Sequence, residues 1–318
     1  MTVLSVRNLQ VAFGAVAPLS GVSFDVAKGE TLGIVGESGS GKSLTAMAVM
    51  GLLPLAGGRI TAGSITFDGQ ELTTLTEKAY RRLRGGRIGL ITQNPMTSLD
   101  PLQCIGPQVD AVAVLHLGMT AREARARTVE ILGTLRIPDP ATICDRYPHQ
   151  MSGGMKQRIV IAMALAADPD VLVADEPTTA LDVTVQAQII RLLDDLVKSR
   201  DLALILITHD MSVVAQTCDR VVVMYAGRAV EQGPVGDIFD APQHPYTQAL
   251  IGCIPRGLDD GARLTGIAGT VPTVLNYPPG CPFHPRCDRA EEVCASIVPE
   301  LEPNATGAVA CHLPGVAP

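Results

Sequence analysis

Short apolar runs alternate with longer amphipathic stretches along this chain. Each run is rich in Val, Ile and Leu and has the length of one buried strand. The runs predict strands at Leu4–Val11, Val22–Val26, Thr31–Val35, Ser64–Phe67, Arg87–Thr92, Val171–Ala174, Ala203–Ile207 and Arg220–Met224. Helical patterns separate several of these runs. The order therefore predicts an α/β protein with a mostly parallel sheet and helices on its faces.

One long stretch departs from this alternation. From Pro95 to about Ala167 the chain carries helical patterns, including one at Ala121–Leu135. Another helical pattern, Leu44–Leu53, directly follows a glycine-rich segment. The sequence therefore predicts a helical insertion within an otherwise alternating order.

Composition and charge narrow the class of protein. The chain has 318 residues, 47% of them hydrophobic and none of them tryptophan, so its core must consist mainly of aliphatic side chains. No apolar run approaches the roughly 18 residues that span a bilayer, and Met1–Arg7 does not resemble the start of a signal peptide. The net charge of −7 argues against a nucleic-acid groove. These features predict a cytosolic enzyme, so any transmembrane pore would belong to other chains.

The glycine-rich segment after Val35 carries the clearest chemical signal. It fits the phosphate-loop pattern G-x-x-x-x-G-K-S between a predicted strand and a predicted helix. Its residues are Gly36, Glu37, Ser38, Gly39, Ser40, Gly41, Lys42 and Ser43, and Leu44 opens the helix. Backbone N–H groups of such a loop converge on phosphate oxygens. Lys42 is predicted to neutralise the β- and γ-phosphates of a nucleotide and Ser43 to hold Mg²⁺, whereas a plain glycine-rich turn is the alternative.

Two acidic residues follow the apolar run Val171–Ala174. Asp175, at the carboxyl end of a parallel strand, is predicted to meet the Mg²⁺ ion. Glu176, on an extended chain, points the other way and is predicted to be the general base for an attacking water. A solvated strand end is the alternative. His209 follows the run Ala203–Ile207, where a neutral imidazole could bridge the γ-phosphate and the water.

A further motif identifies a family. The helical pattern through Ala167 is preceded by Met151-Ser152-Gly153-Gly154-Met155-Lys156-Gln157-Arg158. At this position, between the phosphate loop and Asp175, the motif resembles the signature sequence of the ATP-binding-cassette (ABC) ATPases. Met151 and Met155 depart from its commonest form. The resemblance implies that Ser152, Gly153 and Gly154 grip the ATP held by a partner subunit.

The same resemblance assigns further residues. Gln93 matches the Q-loop glutamine, with a catalytic and Mg²⁺-binding role, and Ala180-Leu181-Asp182 matches the D-loop. Phe13 matches the aromatic residue that stacks on adenine, although ordinary packing is the alternative for it. The implied fold is a P-loop NTPase nucleotide-binding domain. It has a mostly parallel sheet, some antiparallel strands and a helical subdomain at about residues 95–167.

Several segments narrow the resemblance to the ATPases of oligopeptide and dipeptide importers. They are Thr92–Pro101, Tyr147–Gln150, Ala241–Leu250 and Pro279–Cys287. The resemblance spans essentially the whole chain and implies an ABC ATP-binding domain at residues 1–240 and a transporter C-terminal domain at residues 241–318. It implies an ATPase that energises peptide import as a peripheral subunit at the cytoplasmic face of the inner membrane.

Partners follow from that resemblance as well. They are a second ABC ATPase subunit, with a heterodimer favoured over two copies of this chain, two membrane permeases and an extracytoplasmic substrate-binding protein. Nucleic acid is not expected as a partner. An ATPase of a nickel or glutathione importer is an alternative within the family. A cassette ATPase that acts on ribosomes or DNA is a more distant alternative, since such proteins usually carry two cassettes and basic tails.

Four of the eight cysteines cluster near the end of the chain: Cys281, Cys287, Cys294 and Cys311. Four thiolates among loop-forming prolines suit a metal site. The wide spacing favours a [4Fe–4S] cluster over zinc, which usually has tighter Cys pairs, and the importer resemblance points the same way. Buried thiols remain an alternative, and His284 and His312 are possible substitute ligands. The scattered Cys104, Cys144, Cys218 and Cys253 are predicted to be small core residues.

Overall fold

A computed structural model describes residues 1–179, 181–254, 266–305 and 307–315. Its strands, in chain order, are β1 Thr2–Phe13, β2 Val16–Ala27, β3 Thr31–Val35, β4 Arg59–Phe67, β5 Gln70–Glu71, β6 Ile88–Ile91, β7 Val171–Asp175, β8 Ala203–Thr208, β9 Arg220–Tyr225, β10 Arg228–Pro234, β11 Glu302–Asn304 and β12 Gly307–Val309. Each of the predicted strands is present. The strands β5, β10, β11 and β12 were not predicted, because none of them contains an apolar run.

The α-helices are α1 Lys42–Val49, α2 Glu77–Leu83, α3 Pro95–Ser98, α4 Ile105–Leu117, α5 Ala121–Thr134, α6 Pro140–Ile143, α7 Gly153–Leu165, α8 Val183–Arg200, α9 Met211–Thr217, α10 Val235–Asp240, α11 Pro245–Gly252 and α12 Glu292–Ser296. Short 3₁₀ helices occupy Leu53–Ala56, Pro148–Gln150, Val274–Asn276 and His284–Arg286. The predicted helical stretch after Pro95 is confirmed, since residues 95–165 contain helices and no strand.

Helix α1 differs from its prediction at both ends. It begins at Lys42, inside the phosphate-loop motif, rather than at Leu44, and it ends at Val49 rather than Leu53. The early end has a local cause. The N–H groups of Gly51 and Leu52 donate to the carbonyls of Ala48 and Met47, which closes the helix.

The described residues form two compact units. The first comprises Met1–Leu4, Val26–Glu30 and Thr74–Leu206. In it β6 and β7 pair in parallel, and the helices α4, α5 and α7 pack against one another. Thr120 and Glu123 form a capping box at the start of α5.

The second unit comprises Ser5–Asp25, Thr31–Thr73 and Ile207–Pro318. One sheet has the strand order β11-β12-β10-β9-β3, with β3 and β9 parallel and the other pairs antiparallel. A smaller sheet has the order β2-β1-β4-β5. The strands β3 and β9 bury Val35, Val223 and Tyr225, and Tyr246 and Phe283 from the C-terminal part pack into the same core. The predicted domain boundary at residues 240/241 stays a prediction.

Among the described residues, no helix combines the length and the apolar character needed to cross a membrane.

Candidate functional site

The phosphate-loop motif lies between β3 and α1 in the second unit. Gly36 has a φ of 153°, and a Cβ there would lie 2.1 Å from the Met224 carbonyl oxygen. Gly41 has a φ of 102°, and a Cβ there would lie 2.4 Å from Leu19 Cδ2. Only glycine allows this backbone to pass so close to its neighbours. The tight turn brings the loop directly onto the start of α1.

Lys42 spans the loop from the first turn of α1. Its side chain is buried, and its ammonium donates hydrogen bonds to the Gly36 carbonyl at 2.8 Å and the Glu37 carbonyl at 3.1 Å. The Ser43 side chain, next in the helix, is exposed. A Cβ at Gly39 would meet no atom within 4 Å, so the outer side of the loop is open. The loop therefore combines a cationic group, an exposed hydroxyl and a helix N-terminus, which fit phosphates and Mg²⁺.

Two other loop positions and Phe13 complete this part of the candidate site. Ser40 is fully buried, and its hydroxyl has no hydrogen-bond partner in the part of the chain that the structure describes. Ser38 is exposed, and Leu44 is half-buried within α1. Phe13 is half-buried at the end of β1, and its ring packs against Gly58. This contact is the packing role considered for Phe13, and it leaves part of the ring accessible.

The carboxylates after β7 lie in the first unit. Asp175 is the last residue of its strand, as predicted. The expectation that Glu176 continues an extended chain is wrong: its φ is 46°, because the strand ends and the backbone turns there. The Gln93 amide donates to Glu176 Oε2 at 2.9 Å, and the Thr179 hydroxyl donates to the same oxygen at 2.8 Å. Two donors thus orient the proposed base, and sequence reasoning predicted neither hydrogen bond.

The signature motif forms the exposed N-terminus of α7. Ser152 caps the helix by accepting a hydrogen bond from the Met155 N–H at 3.3 Å. Ser152 and Gly153 are exposed, while Gly154 packs against Val185. An exposed serine and helix N-terminus can accept an anion from another molecule.

The structure also shows where the D-loop and His209 lie. In the D-loop, Ala180 lies outside the described residues, and Asp182 caps α8 by accepting from the Val185 N–H at 2.9 Å. His209 is exposed in the turn that follows β8, in the second unit. Its neighbour Asp210 caps α9.

The four C-terminal cysteines line a single small cavity in the second unit. His284 and His312, which were considered as substitute ligands, line it too. Both histidine rings also lie at hydrogen-bond distance from backbone carbonyls, His284 Nδ1 at 2.9 Å from Cys281 and His312 Nε2 at 2.9 Å from Ile297. Among the described residues, no group of three or more His, Cys, Asp or Glu side chains is arranged to hold a metal ion.

Burial raises the pKa of three of the four C-terminal cysteine thiols. It raises the pKa of Cys281 to about 11 and also raises the pKa of Cys287 and Cys311. Nearby thiols raise these pKa values further, since their negative charges would repel one another. Four thiols around one cavity match the donor set of an iron–sulfur cluster. Of the scattered cysteines, Cys144 is buried, whereas Cys104, Cys218 and Cys253 are half-buried.

Sequence reasoning also missed a contact between the C-terminal segment and the phosphate loop. Arg286 forms a two-pronged ion pair with Glu37, with distances of 2.7 and 3.1 Å between nitrogen and oxygen atoms. The Tyr246 hydroxyl accepts a hydrogen bond from the Glu37 N–H at 2.9 Å. The sequence separates Glu37 from these partners by more than two hundred residues, so no local pattern signals the contact.

Comparison with known families agrees with this geometry. A family model described as "ABC transporter" matches residues 19–179, and one described as "Oligopeptide/dipeptide transporter, C-terminal region" matches residues 230–294. The chain therefore belongs to the ABC transporter family, as an ATP-binding ATPase subunit of the oligopeptide/dipeptide type. The predicted P-loop NTPase fold is confirmed.

Individual relatives are similar over nearly the full length. The dipeptide transport ATP-binding protein DppD of Bacillus subtilis is 50% identical over 301 residues, which cover 93% of this chain and 90% of the relative. DppD of Haemophilus influenzae is 47% identical, with coverage of 99% and 96%. The oligopeptide transport ATP-binding protein OppD of Salmonella typhimurium is 48% identical, with coverage of 98% and 93%.

Solved structures share the cassette fold. A dimeric, post-hydrolysis structure of the ATP-binding cassette MJ0796 bound to ADP and Pi superposes with a TM-score of 0.65 at 26% identity, covering 73% of this chain and 98% of that one. CbiO1 from Clostridium perfringens, part of the ABC transporter complex cbiONQ, has a TM-score of 0.67 at 30% identity, covering 75% and 91%.

Proposed function

We propose that this chain binds MgATP and hydrolyses it to drive the uptake of dipeptides or oligopeptides through a membrane permease. The observation that carries the proposal is the joint match of cassette and extension. Relatives named for dipeptide and oligopeptide transport align with both parts at 45–50% identity.

The nucleotide is proposed to sit against the loop Gly36–Ser43. Lys42 exchanges its loop carbonyls for phosphate oxygens, and Phe13 offers part of its ring to the adenine. Ser43, Asp175 and Gln93 would hold Mg²⁺, which when bound neutralises charge on the β- and γ-phosphates. These roles are supported by the open loop and by the position of Asp175 at the end of a buried strand.

Hydrolysis is proposed to use Glu176 as general base. The hydrogen bonds from Gln93 and Thr179 converge on one oxygen, which holds the carboxylate plane in a fixed orientation. A fixed carboxylate can accept the proton of a water that attacks the γ-phosphate. His209 is proposed to hold that water and the γ-phosphate through its imidazole.

Each ATP is proposed to be closed between two subunits. The Ser152–Gly154 segment of one subunit, in which Ser152 and Gly153 are exposed, would grip the γ-phosphate on the phosphate loop of the other, and the dimeric state named for MJ0796 with ADP and Pi supports this arrangement. We favour a related second ATPase as the partner. Two permeases and an extracytoplasmic binding protein complete the assembly, with this chain at the cytoplasmic face of the inner membrane.

We also propose that the cysteine cavity holds a [4Fe–4S] cluster through Cys281, Cys287, Cys294 and Cys311. A zinc site needs four ligands about 2.3 Å from one point, whereas a cluster spreads its four thiolates over four irons. The four cysteines line one cavity, although no group of three or more described His, Cys, Asp or Glu side chains is arranged to hold a metal ion. Anaerobic purification followed by iron, sulfide and zinc analysis tests this assignment. Equimolar zinc without sulfide would reject it.

Purification of the transporter from its own membranes tests the main proposal. Gentle affinity capture of the tagged chain should recover two permeases and a related ATPase. Liposomes containing that assembly and the binding protein should accumulate a labelled dipeptide only with MgATP. Recovery of ribosomal proteins would instead favour the ribosome-acting class, and uptake of nickel or glutathione but no peptide would favour the alternative importers.

A further inference from the structure

The phosphate loop of this chain carries an acidic residue that the C-terminal segment neutralises. Glu37 directly follows Gly36, and its carboxylate meets both terminal nitrogens of the Arg286 guanidinium. The arginine side chain is only 5% exposed and the glutamate side chain 29%. A two-pronged pair with one partner so well buried is a specific, directional contact rather than a transient surface pair.

Several contacts hold Arg286 in place for this task. Its Nε donates to the Ala268 carbonyl at 2.8 Å, and its guanidinium lies over the rings of Tyr225 and Phe283 at 5.7 and 5.9 Å from their centroids. An arginine guanidinium also stays charged at neutral pH. These contacts therefore fix both the position and the charge of Arg286.

Hydrogen bonds also hold the backbone of Glu37. Its N–H donates to the Tyr246 hydroxyl at 2.9 Å, and its carbonyl accepts from the Lys42 ammonium at 3.1 Å. The Tyr246 ring packs against Tyr225 and Phe283, with centroids 4.7 and 5.3 Å apart. The side chain and the N–H of this loop residue thus both contact groups outside the loop.

The ion pair between Glu37 and Arg286 affects nucleotide binding through its charges. A triphosphate repels a carboxylate in the loop that cradles it, and Arg286 cancels that carboxylate's charge. We propose that Arg286 is a positioning residue for the nucleotide, through which the C-terminal extension sets the affinity of the phosphate loop. This inference depends on the proposed ATP-binding role of the loop.

Variants of Glu37 and Arg286 distinguish two roles of the ion pair. One role is to cancel the charge of Glu37, and the other is to attach the C-terminal segment to the phosphate loop. Arg286→Met should weaken ATP affinity by about tenfold, the size of a typical coupling between neighbouring sites. Glu37→Gln/Arg286→Met should bind ATP more tightly than Arg286→Met does and recover most of the loss, because the uncompensated carboxylate is gone. Arg286→Lys keeps the charge and should lie between Arg286→Met and the wild type. Affinity is measured with a fluorescent ATP analogue, with thermal unfolding recorded for each variant.

Arg289→Met provides the matched control. Arg289 comes from the same segment, but its guanidinium donates to the carbonyls of Leu313 and Gly315 and forms no described contact with the phosphate loop. Its replacement can lower stability but should leave ATP affinity within about twofold of the wild type.

Three outcomes would overturn or redirect the proposal. Unchanged ATP affinity in folded Arg286→Met would overturn it, since the pair would then only fasten the extension. An equal loss in Arg286→Met and in the double variant would also overturn it, because packing rather than charge would be responsible. If the wild type itself bound no ATP, the proposed function would fail instead. Should Arg286→Met not fold, the comparison of Arg286→Lys with the wild type decides.

Discussion

At the scale of single residues, a few positions of the phosphate loop have distinct roles. Gly36 and Gly41 allow the close backbone approach, and Lys42 carries the charge that a triphosphate needs. The Lys42 side chain is buried and donates to two loop carbonyls. These hydrogen bonds hold its ammonium within the loop, at the place where we propose that phosphate binds.

Replacement of Lys42 by alanine should nearly abolish ATP binding. The loss of charge-assisted hydrogen bonds to phosphate costs about 3 kcal/mol, which is roughly a hundredfold in affinity. Titration with a fluorescent ATP analogue measures this. Lys198→Ala is the control, because Lys198 is an exposed helix residue that pairs with Asp194. An affinity for Lys42→Ala equal to that of the control would contradict the assigned role.

At the scale of elements, the sequence predicts strands and helices where apolar periodicity is strong. The buried runs of β3, β7, β8 and β9 agree with their predicted bounds to within one residue. The hairpin partner β10 reads Arg-Ala-Val-Glu-Gln-Gly-Pro, and β11 and β12 are short, so neither period nor length marks them as strands. The turn at Glu176 and the pairing of Glu37 with Arg286 are tertiary features, which a local pattern does not contain.

A substitution at the N-terminus of helix α7 should lower both stability and ATP turnover, and a matched substitution in α5 separates the two effects. Ser152→Ala removes the cap of α7 and should cost about 1 kcal/mol of stability. It should also reduce ATP turnover by at least about tenfold, because the serine no longer meets the partner's γ-phosphate. Thr120→Ala removes the cap of α5 in the same unit and should cost similar stability while leaving turnover intact. Equal turnover in both variants would contradict the role of the signature motif.

The buried histidine that caps helix α11 should make the stability of the protein depend on pH. His244 caps this helix by accepting from the Tyr246 N–H at 3.0 Å, and burial, with help from the charge of Arg289, lowers the pKa of His244 to about 3. The backbone N–H of His244 also donates to Glu231. The unfolded chain takes up a proton near pH 6.5, whereas the folded chain resists until about pH 3. This histidine therefore reduces stability as pH falls through that window, by up to about 1.4 kcal/mol per pH unit.

The variant His244→Asn should make that acid loss shallower. Asparagine keeps a capping acceptor for the Tyr246 N–H and removes the titrating ring. Urea unfolding at several pH values between 7 and 3 measures the slope, and the exposed His149→Asn serves as the control. If His244→Asn and the wild type lose stability in parallel over this range, the buried histidine is not responsible.

At the scale of the whole molecule, the two segments that we propose to bind each ATP belong to different compact units. The phosphate loop belongs to the second unit, and the exposed signature helix belongs to the first. In the proposed dimer, a partner subunit supplies the signature segment that completes the contacts of each nucleotide. ATP would then bind the closed pair more tightly than the separate subunits, and its hydrolysis would shift the population back to the open form.

The variant Glu176→Gln should trap the closed pair. The amide cannot accept the water's proton, so turnover should fall by about a hundredfold to ten-thousandfold, while ATP binding persists. Phosphate release measures turnover, and analytical ultracentrifugation of the chain with the proposed partner ATPase should show an ATP-dependent complex that outlasts the wild-type one. Glu77→Gln, an exposed helix substitution, is the control and should cycle normally. Because a closed clamp needs ATP as well as an inactive base, adding Lys42→Ala to Glu176→Gln should dissolve the complex, and a complex that survives without nucleotide would contradict the clamp.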